Sequence, residues 1–167
     1  MSTELESPAD RLSVHVREEI DAWVRQYPPG RQQSALLGAL HAVQHENGYL
    51  TVTLMDAVAD YLELPRISVY EVASFYSMFE TEPVGRHSIS VCTNLSCMLR
   101  GGDEVVAHLQ HKLGIALGET TADGRIYLKR EEECLAACAG APMMMVDHRY
   151  YENLTLEAVD RIVDGLE

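Results

Sequence analysis

Four cysteines are the residues of this 167-residue chain best suited to chemistry, and they fall into two tight pairs. The pairs are Cys92-x4-Cys97 and Cys134-x3-Cys138, with 36 residues between them. Four thiolates are a complete ligand set for one metal centre. Structural zinc sites usually pair cysteines as C-x2-C, although looser spacings occur. The inner gaps here are longer. A bridged two-iron cluster is wider than a single ion and suits wider loops, and a C-x4-C step occurs in plant-type ferredoxins. Dithiol redox chemistry of the thioredoxin kind uses C-x-x-C near a helix start, and neither pair has that spacing. A Rieske centre takes two histidine ligands; with four cysteines present, none of the seven histidines is required. The spacing points to an iron–sulfur centre and leaves zinc open as its rival.

The elements that must hold these cysteines differ between the two halves of the chain. Residues 1 to about 84 read as helices alone. Leu12, Val16, Ile20, Trp23 and Tyr27 recur at steps of three and four, one face of a helix, until Pro28-Pro29-Gly30 stops it. A second helix over about 31–46 carries Leu36, Leu40 and Val43 and ends at Asn47-Gly48. A third over about 52–63 carries Leu54, Val58, Tyr61 and Leu62. Ser68-Val-Tyr-Glu71 has the pattern of a capping box, opening a fourth helix that runs through Phe75, Tyr76 and Phe79 towards Pro83. Four short amphipathic helices with brief connections predict a small helical bundle.

From residue 85 onwards the period changes. His87–Cys92 alternates polar with apolar, as a half-buried strand does. Gly101-Gly102 leads into a helix over about 103–113, followed by strands at 125–130, 143–147 and near 150–152. Thr155 is placed to cap a last helix that buries Leu156, Val159, Ile162 and Val163. The order β-α-β-β-β-α predicts a small thioredoxin-like α/β domain over 85–167, so the whole is α+β. Its first two strands should be parallel, joined by a helical crossover. Parallel strands end on one edge of a sheet, so Cys92 and Cys97 after the first strand and Cys134 and Cys138 after the second should converge there, where ligands of open α/β sheets tend to sit.

Composition bounds the partners. With 47% hydrophobic and 23% charged residues the chain can bury a core. Its formal net charge is −13, spread over both halves with no basic stripe, which argues against nucleic acid or an anionic membrane surface as a partner. No run approaches the roughly 20 apolar residues that span a bilayer. The acidic start MSTELESPAD lacks the features of a secretory signal. A cytoplasmic protein is expected, and in a reducing cytosol two structural disulfides are improbable.

The run VASFYSMFETEPVGRH, the C-x4-C step and ECLAACAGAPMMMVD together resemble the family of the complex I 24 kDa subunit, the E subunits of bacterial NADH-quinone oxidoreductases. The likeness covers nearly the whole chain, with no departure at a ligand position. It implies one [2Fe–2S] cluster, with Cys92 and Cys97 on one iron and Cys134 and Cys138 on the other. It implies an electron-transfer subunit, without catalytic residues of its own, in the peripheral arm of an inner-membrane complex. The implied partner is the subunit that binds FMN and NADH, with other peripheral-arm subunits; this chain shows no G-x-G-x-x-G fingerprint. Diaphorase subunits of NAD-linked formate dehydrogenases and NAD-reducing hydrogenases share the four cysteines and stay open as alternatives. A zinc-stabilised interaction module is the rival of a different class.

Other residues have two readings each. Gly101, Gly102 and Gly140 serve either as plain turn residues or as close-approach points that let backbone N–H groups reach the sulfurs. Met143-Met144-Met145 reads as core on one face of a strand, and Phe75, Tyr76 and Phe79 as bundle core whose exposed side docks a partner. His87, His108, His111 and His148 read as structural or surface residues, with His148 set apart because it follows a strand near the cluster loops. Glu131-Glu132-Glu133, directly before Cys134, reads first as a solvated loop face. Its sharper reading is tuning: one carboxylate about 10 Å from an anionic cluster, at an effective dielectric of about 20, opposes added negative charge by about 1.7 kcal/mol before salt screening. At about 59 mV per 1.4 kcal/mol for one electron, that is some tens of millivolts. On this second reading, replacing all three by glutamine raises the midpoint potential; an unchanged value in redox-poised EPR eliminates the tuning role.

Overall fold

Prolines and glycines partition the first half of the chain much as their chemistry requires, in a computed structural model that describes residues 11–130 and 134–167. The chain splits into two compact units between Pro83 and Val84. In the first, α1 (Val14–Val24) begins at Ser13, whose hydroxyl accepts the Val16 N–H, an N-cap satisfying one of the orphan donors of the first turn. After a 3-10 turn over Gln32–Ala35, α2 (Leu36–Asn47) ends on Gly48 at φ 82°. Thr51 caps α3 (Val52–Tyr61), and α4 (Arg66–Phe75) follows Pro65. Their apolar faces enclose one core of Leu12, Val16, Ile20, Leu40, Val43, Leu50, Val58, Val69 and their neighbours.

Three features depart from the sequence reading. The fourth helix starts at Arg66, not at a Ser68 capping box, because Pro65 with ψ 134° already turns the chain and leaves Ser68 inside the first helical turn. It stops at Phe75, since Tyr76 is extended at ψ 121°. Phe75 is thereby left 80% exposed, stacked edge-on against Tyr76 rather than buried, while Phe79 beyond the break returns to the core. Trp23 is only half-buried: its ring lies where a Cβ on Gly38 of α2 would stand, 2.5 Å from the nearest ring carbon.

The second unit is a five-stranded sheet in the order β2-β3-β1-β4-β5. The strands are β1 (His87–Val91), β2 (Glu119–Thr120), β3 (Ile126–Leu128), β4 (Met144–Val146) and β5 (Arg149–Tyr151). β1 and β3 are parallel, with Ile89 opposite Leu128, and α6 (Gly102–Leu113) lies in the crossover between them. The two-residue β2 and the single-turn α5 (Leu95–Met98) have too few residues to show a period and are absent from the sequence reading. β4 runs antiparallel to β1, and α7 (Leu156–Asp164) is capped by the Thr155 hydroxyl. Ile89, Ile126, Leu128, Met144 and Val146 pack with Val105 and Leu109 of α6 and with Val159 and Val163 of α7. Leu156, expected in that core, is instead partly exposed at the start of α7. Met143 and Met144 are both buried, in different clusters, so the methionine run serves two faces rather than one. Among the described residues no helix is long and apolar enough to cross a membrane.

His87, His108 and His148 have structural places. His108 pairs with Asp160 across α6 and α7. His148 sits with Asp147 in the two-residue turn between β4 and β5, both at positive φ, at the end of β1 opposite to Cys92. The His87 ring faces an acceptor at each nitrogen, Asp147 Oδ2 at 2.6 Å and the Glu167 carbonyl oxygen at 2.8 Å. The Asp147 hydrogen bond, helped by that carbonyl, raises the imidazole pKa above its usual 6.5. A group whose pKa is raised by folding adds stability that is fully present below its unfolded value and lost as pH rises through the native one. Thermal unfolding should therefore show a stabilisation fully present below pH 6.5 that fades as pH rises above it, and His87→Gln should remove that pH-dependent part.

Candidate metal centre

Parallel pairing of β1 with β3 delivers both cysteine loops to one edge of the sheet. Cys92 follows β1 directly, and its N–H donates to the Met143 carbonyl at 3.2 Å. Cys97 lies within α5, whose first N–H is taken by the Asn94 side chain. Cys134 and Cys138 lie beyond the end of β3, and Cys138 opens a 3-10 turn over Cys138–Gly140. All four thiols are free. The sulfurs of Cys134 and Cys138 are 3.8 Å apart, and the thiols of Cys97 and Cys134 lie close enough to Cys92 to shift its ionisation. The structure thus brings together all four residues picked out by spacing.

The site is lopsided. Cys92 and Cys97 are 2% and 1% exposed, packed with Leu135, Ala141 and Met143, whereas Cys134 and Cys138 face outward. Burial pushes the Cys92 thiol up, but N–H donation from Leu135 and Asn94 and the neighbouring thiols of Cys97 and Cys134 outweigh it, so its pKa is lowered. Burial and the hydrogen bond to Cys92 push Cys97 up to about 11, against the Met143 N–H. At Cys134 the Ala136 N–H pulls down, but the hydrogen bond to Cys138 and desolvation prevail and the pKa is raised. Metal ligation needs thiolates, so loading this quartet displaces protons.

These backbone donors are what the sequence reading missed. The Ala136 N–H donates to Cys134 Sγ, and the backbones of Leu135, Asn94 and Met143, rather than of glycines, ease ionisation of the buried pair. The one available signal was position: Asn94 and Ala136 each stand two residues after a cysteine. The N–H groups of Gly101 and Gly140 go instead to the carbonyls of Met98 and Ala137, which is turn chemistry. Glu131, Glu132 and Glu133 lie outside the described residues, and His111 is in the last turn of α6.

The donor set fits a thiolate-held iron–sulfur cluster. Two thiolates on one tetrahedral metal, with bonds of about 2.3 Å, sit about 3.8 Å apart, the separation found at Cys134 and Cys138. Sulfur-directed N–H groups suit an anionic centre.

Gly102 is the one glycine whose lack of a side chain the site requires. A Cβ there would stand 2.9 Å from the Cys92 carbonyl oxygen and 3.0 Å from the Cys97 carbonyl group, all backbone atoms that cannot swing away. Gly102→Ala should cost about 1–3 kcal/mol, the range for an overpacked interior, read as a lower Tm of the metal-free protein; an unchanged Tm contradicts this packing.

Known proteins supply the context for this geometry. Residues 20–167 match the family model described as thioredoxin-like [2Fe-2S] ferredoxin. The chain is 41% identical over 95% of its length, and 93% of the relative's, to the NADH-quinone oxidoreductase E subunit of Rickettsia conorii. It is 43% identical over 90% of its length, and 88% of the relative's, to the NADH-quinone oxidoreductase E 2 subunit of Rhizobium meliloti. In fold it resembles the crystal structure of an NAD+-reducing [NiFe]-hydrogenase in the air-oxidized state, with a TM-score of 0.66 and 23% identity over 76% of this chain. This chain matches only 22% of that hydrogenase chain, and the likeness speaks to fold alone. Family model, near full-length relatives and fold agree: the chain belongs to the thioredoxin-like [2Fe-2S] ferredoxin family, among the E subunits of NADH-quinone oxidoreductases.

Proposed function

We propose that Cys92, Cys97, Cys134 and Cys138 hold one [2Fe–2S] cluster and that this chain is the electron-transfer subunit of an NADH-quinone oxidoreductase. In this reading it docks beside the subunit that binds FMN and NADH, within the peripheral arm of a membrane-bound complex on its cytoplasmic side. The observation that carries it is the quartet of free thiols gathered from the ends of two parallel strands. When bound, the cluster supplies reversible one-electron chemistry. The chain's own residues do the rest. Cys92 and Cys97 ligate from the buried side and Cys134 and Cys138 from the exposed side. Leu135, Ala141 and Met143 keep water from the buried pair. The N–H groups of Asn94, Leu135, Ala136 and Met143 stabilise negative charge on the sulfurs, which favours the reduced state.

A second reading is the diaphorase [2Fe–2S] subunit of an NAD-reducing hydrogenase or an NAD-linked formate dehydrogenase; the hydrogenase likeness gives it a shared fold and no more. Purification of the native complex separates the two: a quinone-reducing assembly supports the first, a hydrogenase or formate dehydrogenase large subunit the second. A zinc module would be colourless.

The direct test is iron and acid-labile sulfide analysis with EPR of the dithionite-reduced protein. Two irons and two sulfides per chain and a reduced [2Fe–2S] signal are expected, with Cys134→Ala losing most of the cluster. A Cys134→Ala protein with the normal signal would sink the ligand assignment.

A further inference from the structure

The Ala136 backbone N–H donates to Cys134 Sγ at 3.4 Å. Ala136 does so from φ 59°, the left-handed region, which disfavours any residue with a Cβ. Its methyl is exposed, so side-chain packing does not offset that cost. Among the described residues the other non-glycine residues at positive φ are Glu63 just past α3, Asp147 and His148 in the β4–β5 turn, and Asn153. Those places are a helix end, a tight turn and a residue type that tolerates the conformation. Ala136 has none of these reasons.

What holds Ala136 is the backbone on either side. Leu135 is anchored among Cys92, Cys97, Ala141 and Met143. Downstream, the Gly140 N–H donates to the Ala137 carbonyl at 2.9 Å, and the Gly140 carbonyl accepts the Asn153 N–H at 2.6 Å.

We propose that Ala136 is a positioning residue for electron transfer: its left-handed backbone aims an N–H at Cys134 Sγ on the exposed side of the quartet and so raises the potential at which the site accepts an electron. The proposal rests on the [2Fe–2S] reading above. Reduction adds negative charge to a thiolate-held centre, and a donor aimed at one of its sulfurs favours the more negative state.

The test uses the full-length, cluster-loaded protein in redox-poised EPR. Placing L-lactic acid at position 136 turns the amide into an ester and deletes the N–H while leaving the backbone path. At fixed poise the reduced-to-oxidised ratio is expected to fall several-fold, tenfold corresponding to about 59 mV for one electron, with two irons per chain retained. Ala136→Gly keeps the N–H and relieves the left-handed cost, so its potential should match the parent and its Tm should equal or exceed it. A loaded ester protein with the parent potential overturns the proposal, as does a fall in Tm for Ala136→Gly. If the ester protein does not load, Ala136→Val replaces it: a β-branched residue disfavours the left-handed backbone, so a lower potential supports the proposal and a parental one overturns it. A parent protein without any [2Fe–2S] signal would instead remove the functional reading beneath it.

Discussion

The parallel pairing of β1 and β3 is the constraint on which the site depends. A single-loop metal site gathers its ligands locally, and the local chain can shape it. Here the two cysteine pairs stand 36 residues apart, and their meeting is a property of the sheet. His87 lies opposite Ile126 and Ile89 opposite Leu128, so both strands release their loops at the same edge. Parallel strands need a long crossover, and α6 supplies it while burying Val105 and Leu109 on the sheet. The β4 strand adds the third fastening. Met143, just before it, accepts the Cys92 N–H with its carbonyl, and its own backbone eases ionisation of Cys97. One backbone unit thus ties the two buried cysteines to a neighbouring strand.

That fastening explains why the quartet is electrostatically uneven. Cys92 and Cys97 share the same apolar surroundings, yet their thiols move in opposite directions. Burial penalises both thiolates. Cys92 collects two backbone donors and two thiol neighbours, enough to reverse the penalty, whereas Cys97 has one backbone donor and faces the charge on Cys92. A cationic centre removes the conflict, because it converts mutual repulsion among thiolates into shared attraction.

Much of this was legible in the sequence because it rests on period and punctuation. The strand-helix-strand alternation from His87 to Leu128, the Thr155 cap and the helix stop at Asn47-Gly48 are local signals, and the structure follows them, whereas α1 ends at Val24, ahead of Tyr27 and Pro28-Pro29-Gly30. The spacing of the cysteines, set on that sketch, was enough to place all four at one sheet edge. What escaped was set by tertiary context or by shortness. Pro65 overrode a plausible Ser68 capping box. Tyr76 broke the helix although Phe75, Tyr76 and Phe79 continue its apolar face in sequence. β2 and α5 are too brief for any period to register. The sulfur-directed N–H groups leave no mark on composition, since any residue but proline can donate one.

This last point bears on how such a site is specified. Beyond the cysteines themselves, the donors at the quartet are main-chain groups, positioned by Leu135 in its apolar pocket, by Met143 before β4 and by Asn94 at the start of α5. Side-chain identity at most surrounding positions then matters only through packing, and the places where identity is tightly restricted are those where backbone approaches backbone. Gly102 against the carbonyls of Cys92 and Cys97 is the clearest of these. A centre built in this way is as rigid as the sheet that carries it. Adjusting its potential without dismantling it requires either turning one N–H, as the left-handed residue before Ala137 permits, or changing the charges beside the exposed pair of thiols.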